Sequence, residues 1–161
     1  MSPVSKPQAI RKPIDGVLVQ PLRRMADERG SVMHMLKSSD PHFEAFGEIY
    51  FSTVNPGVVK GWHLHDRMVL HYAVPHGTIK LVLYDDREGS RTRGEVQEIF
   101  LGDANYVLVR VPAKVWNGFK GLGAAPAVVA NCATIPHDPA EIHRLDPHHN
   151  TIPYDWSRKD G

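Results

Sequence analysis

The chain has 161 residues, 42% of them hydrophobic, with nineteen Lys and Arg against eighteen Asp and Glu. That length fits one globular domain with a sizeable core, and the nearly cancelled charge gives no electrostatic case for nucleic acid or an anionic membrane. No stretch approaches the ~20 apolar residues of a membrane helix, and the lone Cys132 excludes an internal disulfide and fits a reducing cytoplasm.

The N-terminal segment has no apolar core of the signal-peptide kind, and its prolines predict a loose arm over residues 1–15. A single domain is expected over 16–161. Val17 to Val19 is the first predicted strand. Ser31 to Leu36 is the second, after the turn-like Asp27-Glu28-Arg29-Gly30. Pro41 to Phe46 is the one candidate for a short helix, with Ser39 or Asp40 as N-cap. Glu48 to Val54 follows as a strand, ended by the turn sequence Asn55-Pro56-Gly57.

Next come Val58 to His65, Val69 to Val74 and Thr78 to Tyr84, the last two separated by Pro75-His76-Gly77. Strands resume at Gly94 to Phe100, Tyr106 to Val111 and Ala127 to Ala133. Such short strands at close spacing predict an all-β sandwich or barrel. The Pro-, His- and Asp-rich segment from Pro136 is expected to wrap it as irregular chain, with His143, His148 and His149 as solvated surface. Ile79 to Tyr84 is apolar on both faces, which predicts that its outer face packs on a second sheet or subunit. A homodimer through outer strand faces is the expected assembly.

Side chains two apart on a strand share a face, so His63 and His65 point into one space. Paired imidazoles suit a metal, a proton-transfer site or a polar pocket. The succession Gly57-x5-His63-x-His65, a hairpin ending at Gly77, and the later Pro112-x4-Asn117-Gly118-Phe119 resembles the cupin barrel. In metal-binding cupins two histidines and a glutamate from the first motif join a histidine from the second. Here Leu70 and His71 stand where the acid is expected and Asn117 stands in the last ligand's place, leaving His71 to complete any metal set.

A second resemblance covers most of the chain. Asp27-Glu28-Arg29-Gly30, Val58-Val59-Lys60-Gly61-Trp62-His63, and the run Asp85-x-Arg87-x-x-Ser90-x-Thr92-x-Gly94 follow one another in order. Pro112 to Phe119 and Ile152-Pro153-Tyr154-Asp155-Trp156 complete the series. This series resembles the dTDP-4-dehydrorhamnose 3,5-epimerase family, metal-independent members of the cupins. The resemblance implies a cupin-type jelly-roll barrel and a homodimer. It implies a nucleotide-diphosphate 4-keto-6-deoxy sugar as substrate, and neither metal nor other cofactor.

The implied chemistry is proton abstraction from a carbon next to a ketone. It needs a base, a donor or cation at the ketone oxygen, and an acid on the opposite face. The resemblance puts His63 at the base position and Lys60 at that of a neighbouring arginine. Arg29 matches an arginine that binds the nucleotide's phosphates across the dimer, and Asp160 stands as candidate for the aspartate that orients the base. His34, Tyr50, His65, Asn117 and Asn131 are the remaining expected substrate contacts. Asp85 and Arg87 are read as a structural turn and ion pair.

The departures shape the functional options. Asn131 takes the place of the family's acid tyrosine, and an asparagine delivers no proton. His137, Tyr72 and Tyr106 are nearby alternatives without a motif match. The first option is therefore an epimerase, acting at one carbon or altered to a ketoisomerase. The second is a metal-dependent cupin enzyme using His63, His65 and His71 with Asn117. The third is a sugar-nucleotide binding protein without catalysis.

Overall fold

The computed structural model describes residues 13–160. The chain forms β1 (Leu18–Pro21), β2 (Arg24–Asp27), β3 (Gly30–Met33), β4 (Glu48–Val54), β5 (Val59–His65) and β6 (Leu70–His76). It continues with β7 (Thr78–Tyr84), β8 (Val96–Gly102), β9 (Val107–Val111), β10 (Trp116–Leu122), β11 (Ala127–Ala133) and β12 (Ile142–Arg144). Two antiparallel five-stranded sheets result, ordered β1-β9-β6-β11-β4 and β12-β5-β10-β7-β8, with β2 and β3 as a separate hairpin. Among the described residues no α-helix forms, and none is long and apolar enough to cross a membrane. This is the all-β barrel that the strand pattern predicts, of the cupin type that the motif resemblance implies.

The expected helix at Pro41 to Phe46 does not form; two successive turns over residues 37–43 lead into irregular chain instead. Asp40 turns its carboxylate back to the Lys37 N–H at 2.8 Å rather than forward onto a helix start. Six residues also supply too few hydrogen bonds to offset helix nucleation. At the other end of the domain, Ile14 is buried in the core, and its N–H donates to Gln97 Oε1 at 3.0 Å. The packed chain thus begins before Gly16; residues 1–12 of the expected arm lie outside the described residues.

The inner faces of the two sheets supply the main core, with Leu70, Val74, Ile79, Leu81, Leu83, Val109 and Val129 among its members. β7 is apolar on its outer face as well, and there the C-terminal segment covers it. Val82 packs with Trp62, Val96, Ile152 and Trp156 in a second cluster. The expected second sheet or subunit on this face is therefore the chain's own tail. On β4, by contrast, the outward Ile49 and Phe51 are 50% and 65% exposed, and β4 is an edge strand.

Candidate active site

A cavity of about 680 Å³ opens between the two sheets. From β4, β11 and β6 it takes Tyr50, Asn131 and Tyr72, which lie side by side because Asn131 pairs with Tyr50 on one flank and Tyr72 on the other. From the other sheet it takes Lys60, His63 and His65 of β5, Phe119 of β10, and Ile142 and Arg144 of β12. Glu48, Ser52, Met68 and His137 complete much of the remaining lining.

Strand alternation alone puts His63 and His65 together but would turn Lys60, three residues from His63, to the opposite face. The pairing of β5 with β10 resolves this. Asn117 faces His63 and Phe119 faces Lys60, so two steps along β10 span three along β5. This β-bulge carries Lys60 round into the cavity. Gly61 sits within it, and a Cβ there would lie 2.9 Å from the Gly118 Cα. Lys60 Nζ donates to Ser52 Oγ at 3.0 Å, tying β5 to β4 at the cavity rim.

The His63 ring has no hydrogen-bond partner among the described residues. Burial first, then the positive charge of Arg144, with His65 and Lys60 adding to it, pushes its pKa from 6.5 down to about 4. At neutral pH His63 is uncharged and able to accept a proton. Arg144 comes beside it because β12 pairs antiparallel with β5, Arg144 opposite His63.

His65 is held differently. Its Nδ1 lies 2.5 Å from Glu141 Oε2, while Glu141 Oε1 accepts from the Arg67 and Met68 N–H groups at 3.1 and 2.8 Å. A carboxylate only accepts, so the Nδ1 carries the proton and Nε2 is the nitrogen left for other partners. Burial favours the protonated carboxyl of Glu141. The hydrogen bonds from His65, Met68 and Arg67 outweigh that and keep its pKa below the usual glutamate value.

The two asparagines are fixed by groups of known polarity. Asn131 Oδ1 accepts from the His71 N–H at 3.0 Å, so its Nδ2 donates to the Tyr50 hydroxyl at 2.9 Å. Asn117 Nδ2 donates to the His63 carbonyl at 3.1 Å, so its Oδ1 accepts from the Tyr72 hydroxyl at 2.9 Å. Burial, with Tyr50 adding, holds the Tyr72 hydroxyl well above the usual tyrosine pKa.

The profile of the dTDP-4-dehydrorhamnose 3,5-epimerase family matches residues 11–161. The chain belongs to that family. It is 36% identical over 144 residues to the probable low-salt glycan biosynthesis epimerase Agl13 of Haloferax volcanii, spanning 88% of this chain and 89% of that protein. It is 32% identical over 146 residues to the spore coat polysaccharide biosynthesis protein SpsL of Bacillus subtilis, spanning 89% of this chain and 97% of that one. The crystal structure of a dTDP sugar isomerase from Desulfovibrio desulfuricans G20 matches with a TM-score of 0.88 at 44% identity, over 91% of this chain and 94% of that chain.

Within this member of the epimerase family the structure gathers Lys60, His63, His65, Tyr50 and Asn131 around one cavity, with Asn117 buried beside it and joined to Tyr72 and His63. It does not bring Asp160 there. That side chain is 73% exposed and accepts from Arg158 Nε at 2.6 Å, so it orients no histidine of its own chain's cavity. Arg29 and His34 also stand apart. Arg29 is bound to Asp27 at the β2–β3 turn, and His34 lines a separate small cavity with His42.

The alternative metal set is not assembled. Tyr72 faces the cavity, so the adjacent His71 faces away, where its Nδ1 donates to the Cys132 carbonyl at 3.0 Å. No group of three His, Cys, Asp or Glu among the described residues is disposed to hold a metal ion. Glu141 and Arg144 were not legible beforehand. The C-terminal segment expected to be irregular holds a short 3-10 helix ending at Glu141 and the strand β12 ending at Arg144, and no local pattern announces the pairing of β12 with β5.

Proposed function

We propose that the chain inverts a carbon next to the ketone of a dTDP-linked 4-keto-6-deoxy sugar, with His63 as the base. The observation that supports this most is His63 itself: a neutral, desolvated imidazole without a hydrogen-bond partner among the described residues, beside the cations of Lys60 and Arg144. Removing the carbon-bound proton sends charge to the ketone oxygen, and positive groups in a low-dielectric cavity lower that barrier. The family and its Desulfovibrio relative are named for dTDP sugars, whose diphosphate the same cations suit.

Deuterium from solvent should enter the sugar next to its ketone, and His63→Ala should abolish this. Absence of exchange in any such sugar nucleotide would overturn the reading. A ketoisomerase is a second reading, favoured by one observation. His63 and His65 project from one strand, an arrangement suited to moving a proton along a single face of the sugar. The carbonyl position in the product, read by carbon NMR, separates the two.

The active assembly in this proposal is a homodimer. The edge strand β4 with exposed Ile49 and Phe51, and the hairpin with exposed Met25 and Val32, supply apolar surface for it. Arg29 and His34 on or beside that hairpin would then reach the partner's cavity. Phe51→Asp should yield monomers in light scattering, and a native chain that is already monomeric would sink this part.

A further inference from the structure

Inversion needs a proton donor on the face opposite the base, and position 131 holds an asparagine. The cavity contains two phenols, and their hydroxyls differ in one respect. Tyr72 has committed its proton to Asn117 Oδ1, and that asparagine cannot turn round because its Nδ2 is held by the His63 carbonyl. The Tyr50 hydroxyl is in the reverse situation. It accepts from Asn131 Nδ2, and Asn131 cannot turn round because its Oδ1 is held by the His71 N–H. The Tyr50 proton is therefore left for another acceptor.

Position agrees with polarity. Tyr50 and His63 line the same cavity from different sheets. The Lys60–Ser52 hydrogen bond, 3.0 Å long, marks one level where β4 and β5 face each other. Moving away from the intervening turn, Tyr50 is the next inward residue of β4 after Ser52, and His63 is the next inward side chain of the bulged β5 after Lys60. A sugar ring held between them presents one face to each. Tyr50 is also 39% exposed, so solvent can restore its proton after turnover.

We propose that Tyr50 is the general acid, positioned by Asn131, an assignment that rests on the epimerase reading above. His63 takes the proton from the carbon next to the ketone, and the C–H electron pair passes to the ketone oxygen as the enolate forms. Tyr50 then gives its O–H proton to the same carbon from the other face, and the ketone reforms. His63 returns its proton to solvent and the Tyr50 phenolate takes one back, so the cycle is neutral in protons and electrons.

The test uses the full chain and dTDP-4-keto-6-deoxyglucose in deuterium oxide. In Tyr50→Phe, formation of inverted product should fall by roughly a hundredfold or more, while deuterium continues to enter recovered substrate through His63. Asn131→Asp, whose carboxylate would capture the Tyr50 proton, should show the same split. Inversion at an unchanged rate in Tyr50→Phe overturns the assignment. Loss of exchange together with inversion in that variant also overturns it, by making Tyr50 a binding residue. If the unaltered protein exchanges no deuterium, it is the epimerase reading itself that fails.

Discussion

The cavity and the turn at Asp85 both remove ionisable groups from water, and they treat them in opposite ways. The Asp85 carboxylate is fully buried and accepts from Arg87 Nε at 2.9 Å and from the Ser90 and Thr92 hydroxyls at 2.7 Å each. Burial alone would raise its pKa, but those hydrogen bonds hold it far below the usual aspartate value. The His63 ring is desolvated too, yet it has cations near it and no hydrogen-bond partner among the described residues. A matched charge holds a turn in place. An unmatched base at a cavity wall is available for chemistry. Both sit in family motifs, and the structure supplies the physical difference between them: the Asp85 charge is met by hydrogen bonds and the His63 ring is not.

Exchanging the roles of the two sites is the strongest way to break the comparison. His63→Ala should lower deuterium exchange by roughly 10²–10⁴-fold, the usual contribution of a general base, with no loss in the urea midpoint. A fall in stability comparable to that of a core substitution would make His63 structural. Asp85→Ala should do the reverse. Removing one partner of a buried pair costs about 3–5 kcal/mol, read as a lower urea midpoint, while exchange per folded molecule stays unchanged.

Acid should reveal the two sites in separate windows. His63 has a folded pKa of about 4 against an ordinary 6.5, so the unfolded chain binds the proton first. Above about pH 6.5 this difference has no effect, and stability declines as the pH falls from there towards 4. Asp85 is depressed as well, but from a lower starting point, so its stabilisation is complete above its ordinary 3.8 and is lost only at lower pH. Urea midpoints across this range should lose the upper slope in His63→Ala and keep it in Asp85→Ala.

The smallest effect concerns Arg144. A base must be neutral to act, so kcat/KM should fall on the acid side near pH 4 rather than near 6.5. Burial is the largest cause of that shift and Arg144 the next. Arg144→Met should therefore move the acid limb part of the way back up. A limb that stays fixed would leave burial as its cause and remove Arg144 from the electrostatics of the site.

Local patterns made most of the barrel legible. β4, β7 and β11 have the predicted bounds because each alternates or runs apolar between clear turn signals. β10 escaped as a strand because Trp116-Asn117-Gly118-Phe119-Lys120-Gly121-Leu122 carries two glycines, each preceded by a polar residue. β12 escaped because three residues pair with β5 only through the folded tail. At the site the same limit applies. His63 and His65 could be read together from strand spacing, whereas Lys60 needed the bulge, and Glu141 and Arg144 needed long-range pairing. Tyr50 was visible as a residue, but the direction of its hydroxyl depends on Asn131.

The close approach of Gly61 and Gly118 bears on how such a cavity can diversify. Any side chain at Gly61 meets backbone at 2.9 Å, and one at Gly118 meets the Trp156 ring at 3.1 Å. The junction of β5 with β10 is therefore closed to added side chains, whereas Glu48 and Ser52 line the cavity from β4, away from that junction. Under the proposed function, a change of substrate preference is expected from substitutions on the β4 side of the cavity, with His63 kept in place by the β5–β10 junction.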